Sequence, residues 1–254
     1  MHEKGPSLPG SWKTLPPRGP RSVLGRLQPR PHRGDLLTPN PPRGQRLGGV
    51  YLVASAQKPV TRLLATVTAA LEGGISAVQL REKGAYSPEE QIAAGRGLRE
   101  LSHGFDVPFL VNDDPELARR LDADGVHVGR DDPSPRIARA ILGLKAIIGV
   151  TVYGNPGEES SAAESGADYL ACGPFFPSPT KPDEPVLPLH TLDAVVHRST
   201  LPVFAIGGVN AENAGLLARH RVAGVAVVSA IMDAPDPRHA TEAIRRAFSG
   251  ASRT

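Results

Sequence analysis

The sequence predicts a single closed α/β barrel built from eight strand-then-helix units. Three observations carry that expectation. From Gly49 onward, short runs rich in Val, Ile and Leu alternate with longer segments of helical period. Eight such units fit within about 200 residues, the usual scale of a barrel. Polar residues also gather where the strands end: Gln79, Arg81 and Lys83, then Asn112 and Asp113, then Thr151, then Ser178, and finally Ser229. An open doubly wound sheet shares the alternation. In a (β/α)8, or TIM, barrel, however, all these ends ring one face, where barrel active sites sit.

The strands are expected at residues 50–54, 77–80, 109–112, 125–128, 147–151, 169–173, 203–206 and 224–228. The first helix, 61–72, carries an apolar stripe of Leu63, Leu64, Val67, Ala70 and Leu71, and Gly73-Gly74 stops it. The second, 88–103, follows Ser87 as N-cap, with Pro88 at its first position and Glu90 completing a capping box. Asp114-Pro115-Glu116 opens the third, and residues 133–142 carry the fourth. Shorter helices are expected at 157–165, 189–197, 211–220 and 237–248.

Composition sets the boundaries. With 254 residues and 40% apolar content, one well-buried core is expected and a second folded domain is not. Charge is uneven: residues 1–48 hold nine Lys or Arg against Glu3 and Asp35, while the remainder holds twenty basic and twenty-four acidic residues. The basic balance therefore belongs to the tail and gives the barrel, expected over 49–250, no nucleic-acid footprint. Ten prolines and the lack of an amphipathic period favour plain disorder for the tail over an organelle transit peptide. A start set too far upstream is a third reading. Cys172 is the only cysteine, which excludes an intrachain disulfide and suits a reducing compartment. With no run of about 18 apolar residues and no secretory signal, a cytoplasmic protein without membrane partners is expected.

The strand ends suggest anion chemistry. Gly207-Gly208 and Val228-Ser229 follow strands seven and eight, where barrels commonly hold phosphate on bare backbone N–H groups. A tight turn needing positive φ explains the glycines equally simply. In the run Gln79, Leu80, Arg81, Glu82, Lys83, alternation turns Gln79, Arg81 and Lys83 one way and Leu80 and Glu82 the other. Two cations suit a diphosphate, and an amide can read a heterocycle. Asp113 and Asp132 end strands three and four, near enough to share a hard cation. Asp114 before Pro115 reads as a helix cap, and Asp132 before Pro133 is open to the same explanation. Pro177, Ser178, Pro179, Thr180 and Lys181 lie in a long loop after strand six, adding two hydroxyls and an ammonium, or forming mere surface. Cys172 and His127 read as ordinary core residues.

In their order and spacing, these segments resemble the thiamine-phosphate synthase family. The resemblance rests on Gln-Leu-Arg-Glu-Lys at 79–83, Asn-Asp-Asp at 112–114, Asp-Gly-Val-His-Val-Gly at 124–129 with Asp132 beyond it, and Gly-Pro-Phe-Phe-Pro-Ser-Pro-Thr-Lys at 173–181. It spans about residues 49–248. It implies a transferase of thiamine biosynthesis that joins a hydroxymethylpyrimidine diphosphate to a hydroxyethylthiazole phosphate, or its carboxylated form, and releases pyrophosphate. Mg²⁺ on Asp113 and Asp132 is implied, as are Lys181, Arg81 and Thr151 in catalysis. Lys83 would add charge against the diphosphate, and Gln79 and Asn112 would orient the pyrimidine. Ser178, Pro179 and Thr180 would meet the thiazole substrate, and Gly208, Val228 and Ser229 would hold its phosphate. Leu80 and Glu82 enter the binding set with the rest of their run. Partners are thus small molecules, with a homodimer possible for this barrel type. Departures from the family pattern are Arg130 for glutamine, Tyr153 for histidine, Thr151 for serine and Ala226 for a small polar residue. A thiazole tautomerase of the same fold is the rival reading, disfavoured because 149–154 contains no histidine; a phosphorylated-ligand sensor without catalysis is another.

Overall fold

A computed structural model describes residues 47–178 and 183–251. Its eight strands are β1 (Gly49–Ser55), β2 (Ala77–Arg81), β3 (Phe109–Asn112), β4 (Gly125–Val128), β5 (Ile147–Val152), β6 (Tyr169–Cys172), β7 (Val203–Ile206) and β8 (Gly224–Val227). Each pairs in parallel with its successor, and β1 pairs with β8 to close the barrel. The helices are α1 (Val60–Gly73), α2 (Pro88–Gly104), α3 (Pro115–Arg120), α4 (Pro135–Leu142), α5 (Glu158–Glu164), α6 (Leu189–Arg198), α7 (Ala214–Ala218), α8 (Ser229–Met232) and α9 (Pro237–Ala251). The expected (β/α)8 barrel is therefore present, with α8 inserted before the last helix.

Strand alternation separates two apolar layers. Val50, Leu52, Val78, Leu80, Phe109, Ile148 and Leu170 face outward and pack with Leu63, Val67 and Leu98 of the surrounding helices. Tyr51, Val53, Leu110, Ile147, Tyr169 and Phe204 face inward. Three inward rings meet edge to face, Tyr51, Tyr169 and Phe204 lying 5.6 to 5.9 Å apart between centroids. Such contacts add about 0.5–1.5 kcal/mol per pair beyond burial. Space for them comes from strands without side chains at that level: a methyl group on Gly149 would overlap the Tyr169 ring, and one on Gly224 would press on Phe204.

Local sequence signals operate largely as expected. Gly74 ends α1 in the left-handed conformation at φ 93°, and the Ser87–Glu90 capping box starts α2. Three differences bear on the site or the core, the other element ends moving by at most three residues. The fourth helix starts at Pro135 with Ser134 as its cap, so Asp132 is not a cap at all. The seventh is confined to 214–218, because Asn210 Oδ1 accepts from the N–H groups of Glu212 and Asn213, and Asn213 Oδ1 from that of Asn210. These side-chain turns take the donors that a longer helix would start from. Finally Leu47, which sequence patterning assigns to the tail, is buried in the inward layer. The rest of the tail, 1–46, lies outside the described residues.

Candidate functional site

A cavity of about 330 Å³ opens at the C-terminal ends of the strands. Its polar wall contains Gln79, Arg81, Lys83, Asn112, Asp113, Asp132, Thr151, Ser178, Gly208, Val228 and Ser229. Alternation explains the strand contributions, since Gln79, Asn112 and Thr151 occupy inward positions at the tops of β2, β3 and β5. The same alternation excludes two residues of the expected set. Leu80 is packed in the outer layer, and Glu82 accepts from Tyr86 N at 3.2 Å and Gln91 Nε2 at 3.0 Å, away from the cavity. Pro179, Thr180 and Lys181 lie outside the described residues.

The Asn-Asp-Asp triplet divides into three tasks. Asn112 faces the cavity, Asp113 adopts a left-handed backbone at φ 66°, and Asp114 caps α3 by accepting from Leu117 N at 2.9 Å. The left-handed turn, uncommon outside glycine, carries the Asp113 carboxylate to the rim, where Lys83 Nζ donates to it. Lys83 itself has φ 50°. Asp132 reaches the same place from the next loop, its Oδ2 accepting from Gly129 N at 2.7 Å.

The two carboxyl groups lie close enough to act on each other, and their proton affinities separate. Burial opposes ionisation of Asp113, but the Lys83 hydrogen bond and the neighbouring Asp132 carboxyl outweigh it and hold its carboxyl below the usual range. Burial and the Asp113 carboxylate push Asp132 up, against the Gly129 N–H. Two carboxylates forced together beside a polar cavity suit one hard divalent cation that draws its other ligands from phosphate oxygens and water. Among the described residues no group of three or more His, Cys, Asp or Glu converges, and Asp113 and Asp132 are the carboxyl pair brought together at this rim.

Beneath the polar rim lies a feature absent from the sequence expectations. Gln79 Nε2 donates to Tyr51 Oη at 2.6 Å, and Tyr51 Oη lies 2.9 Å from Tyr169 Oη. Tyr169 Oη is 2.9 Å from His127 Nδ1, and His127 Nε2 is 2.9 Å from Thr151 Oγ1. Burial drives the His127 pKa down to about 4, partly resisted by the Asp113 charge, so the imidazole is neutral near pH 7. Burial likewise raises both tyrosines, which stay protonated. His127 is thus buried, as a core residue should be, yet it also forms part of the cavity wall. The available sequence signal was polar residues at inward positions of β1, β4 and β6. Cys172 is wholly buried, its thiol pushed up to about 12 by burial.

On the opposite side, Gly207 and Gly208 have φ 97° and 64°. Of the two explanations offered for them, the tight turn holds. Each needs the left-handed region, and each also lets the proline-rich loop lie close, since a methyl group would strike Pro174 at the first and Phe176 and Pro177 at the second. Phe175 N and Phe176 N donate to the carbonyls of Ile206 and Gly207, at 3.2 and 3.1 Å, fixing the loop there. At the rim, two of the departures from the family pattern meet. The Arg130 guanidinium lies 4.5 Å from the Tyr153 ring centroid and 3.8 Å from the Glu158 carboxylate, rather than pairing with Asp131.

Comparison with known proteins identifies the family of the chain. Residues 50–231 match the family model described as thiamine monophosphate synthase. The thiamine-phosphate synthase of Thiobacillus denitrificans is 43% identical over 201 residues, covering 79% of this chain and 95% of that one. Its counterpart from Azoarcus sp. is 42% identical over 194 residues, covering 76% and 94%. Among solved structures, thiamine phosphate pyrophosphorylase from Pyrococcus furiosus aligns at a TM-score of 0.72 and 36% identity, covering 80% and 96%. An orotidine 5′-phosphate decarboxylase from Pyrococcus horikoshii, 17% identical with a TM-score of 0.58, shares the fold alone, over 79% of this chain and 99% of that one.

Proposed function

The chain belongs to the thiamine monophosphate synthase family, and on that premise we propose that it joins a 4-amino-2-methylpyrimidine bearing a 5-(diphosphooxymethyl) group to a phosphorylated hydroxyethylthiazole. The products are thiamine phosphate and pyrophosphate. The observation that carries this is the meeting, in one cavity, of groups suited to a heterocycle (Gln79, Asn112, Thr151) with groups suited to a diphosphate (Arg81, Lys83, Asp113, Asp132).

The substitution proceeds by departure of the diphosphate before the new bond forms. The electron pair of the C–O bond leaves with pyrophosphate, and the thiazole nitrogen supplies the pair for the C–N bond. Such a step needs charge stabilisation and alignment more than proton transfer. Arg81 has no ion-pair partner among the described residues and is available to the leaving group. Lys83 can turn from Asp113 to the diphosphate, and Lys181 is assigned to the same charge. Gln79, Asn112 and Thr151 hold the pyrimidine ring. Ser178, Pro179 and Thr180 are assigned to the thiazole, and backbone N–H groups at Gly208, Val228 and Ser229 to its phosphate. Asp113 and Asp132 would hold Mg²⁺, which supplies positive charge to the diphosphate oxygens.

The test is pyrophosphate release by the purified protein with both substrates, with and without Mg²⁺, while thiamine phosphate is followed by mass. Equal, Mg²⁺-dependent appearance of both products is expected. Folded protein that yields neither would overturn the proposal. No described helix is long and apolar enough to cross a membrane, and the proposal extends to a cytoplasmic enzyme acting on free small molecules. Its self-association, expected as a homodimer, is read by light scattering.

A further inference from the structure

Gln79 and Thr151 belong to strands on different sides of the barrel, yet four hydrogen bonds through Tyr51, Tyr169 and His127 connect them. Each hydroxyl has one proton, and a buried proton without an acceptor is costly, so the donors in such a chain all point the same way. Only two arrangements satisfy every link and also give each buried tyrosine proton an acceptor within the chain, and the turn of the Gln79 amide selects between them. With Gln79 Nε2 donating to Tyr51, Tyr51 must donate to Tyr169 and Tyr169 to His127 Nδ1. The imidazole proton then resides on Nε2 and is given to Thr151 Oγ1. Thr151 accepts from below and keeps its own proton for the cavity, while Gln79 Oε1 is left to accept there. A protonated imidazole would leave one buried tyrosine proton without an acceptor in the chain.

We propose that this chain of hydroxyls and imidazole sets the hydrogen-bonding polarity of the cavity, so that it selects an aminopyrimidine over the corresponding oxopyrimidine. The inference rests on the synthase reading and names what determines its ring specificity. An aminopyrimidine edge offers a donor from the exocyclic amine and an acceptor from the adjacent ring nitrogen. That edge complements Gln79 Oε1 and the Thr151 hydroxyl. The oxo form offers an acceptor and an N–H in the reverse order, leaving both protein groups opposed. Sites built on such buried polar groups reject mismatched analogues strongly. Tyr51, Tyr169 and His127 act as positioning residues, through Gln79 and Thr151.

The experiment has two parts, both on the full chain. Ring ¹⁵N spectra of histidine-labelled protein, with His127 assigned against His127→Gln, should show the proton on Nε2. Separately, kcat/KM is compared for the aminopyrimidine diphosphate and its oxo analogue. The unaltered protein should favour the amino form by about a hundredfold or more, and Tyr169→Phe should cut that ratio to below about tenfold, because His127 then exchanges tautomers. Tyr51→Phe should act in the same direction by freeing the Gln79 amide, and serves if Tyr169→Phe does not fold. A proton on Nδ1, or a ratio unchanged by either variant, overturns the inference while leaving synthase activity standing. Absence of pyrophosphate release from unaltered protein instead overturns the function, and the tautomer still decides whether the chain runs as described.

Discussion

The two ends of the barrel treat their charges in opposite ways. At the N-terminal end, carboxylates are matched to donors. Asp124 Oδ2 accepts from Phe109 N at 3.0 Å, and Asp168 Oδ2 accepts from Ile148 N and Arg139 Nη2, each at 2.7 Å. Arg139 also donates to the carbonyls of Gly143, Leu144, Ala146 and Gly166, tying the loop after α4 to the start of β6. At the C-terminal end, Asp113 and Asp132 face each other on loops and Lys83 and Asp113 adopt left-handed backbone, while Arg81 waits without a counter-ion among the described residues. One end is satisfied within the chain, whereas the other presents charges that the proposed ligands would complete. Barrel stability and barrel chemistry are thereby assigned to different loops.

The largest expected effect separates the ends directly. Asp113→Asn, which keeps a residue tolerant of the left-handed region, should reduce kcat/KM for pyrophosphate release by about a hundred- to a thousandfold. Its melting temperature should stay within a few degrees, as calorimetry would read; unchanged activity would remove Asp113 from the cation site. The converse substitution is Arg139→Ala. Losing its hydrogen bonds and leaving Asp168 without its cation should cost about 3 kcal/mol in urea unfolding, with kcat unchanged. A large loss of activity in folded Arg139→Ala would erase the division between the ends.

Acid should weaken the protein through the interior chain beneath the catalytic end. His127 takes up a proton near pH 6.5 when unfolded but only near pH 4 when folded. The stability is therefore full above about 6.5 and declines as pH falls toward 4, by up to about 3 kcal/mol from this group. Urea midpoints measured across that range should lose this part of their slope in His127→Gln. Smaller still is Leu47→Ala, expected to cost about 1–2 kcal/mol for a side chain at the edge of the inward layer. Removing residues 1–46 while retaining Leu47 should leave both melting temperature and activity near their starting values; loss of soluble protein would show that the tail belongs to the fold.

Much of this was legible because strands and helices announce themselves through local periodicity. Gln79, Arg81 and Lys83 could be placed on one side of a strand by alternation alone, and the capping box at Ser87 named its own helix. Asp132 was harder, because a carboxylate before a proline has the same sequence signature whether it caps a helix or folds back onto Gly129 N. Ser134 wins that competition in space, not in pattern. Leu47 was missed since a single apolar residue beside a proline- and arginine-rich stretch has no period to report. The interior chain is illegible for a different reason: Tyr51 and Tyr169 are 118 positions apart, and only barrel closure makes them neighbours. A tyrosine in a strand looks like filler until its hydroxyl has a partner.

Gly149 shows how strand design and specificity compete for one position. Sheet propensity alone recommends Val or Ile there, in the middle of β5. A stability-directed redesign following that rule would push a branched side chain into the Tyr169 ring and His127 Nδ1, the junction at which two hydrogen bonds of the interior chain meet. The variant would gain a better strand former and lose the contact that orients Thr151. Thermostabilised descendants of this barrel should therefore be screened for ring selectivity as well as melting temperature, with Gly149 held fixed from the outset.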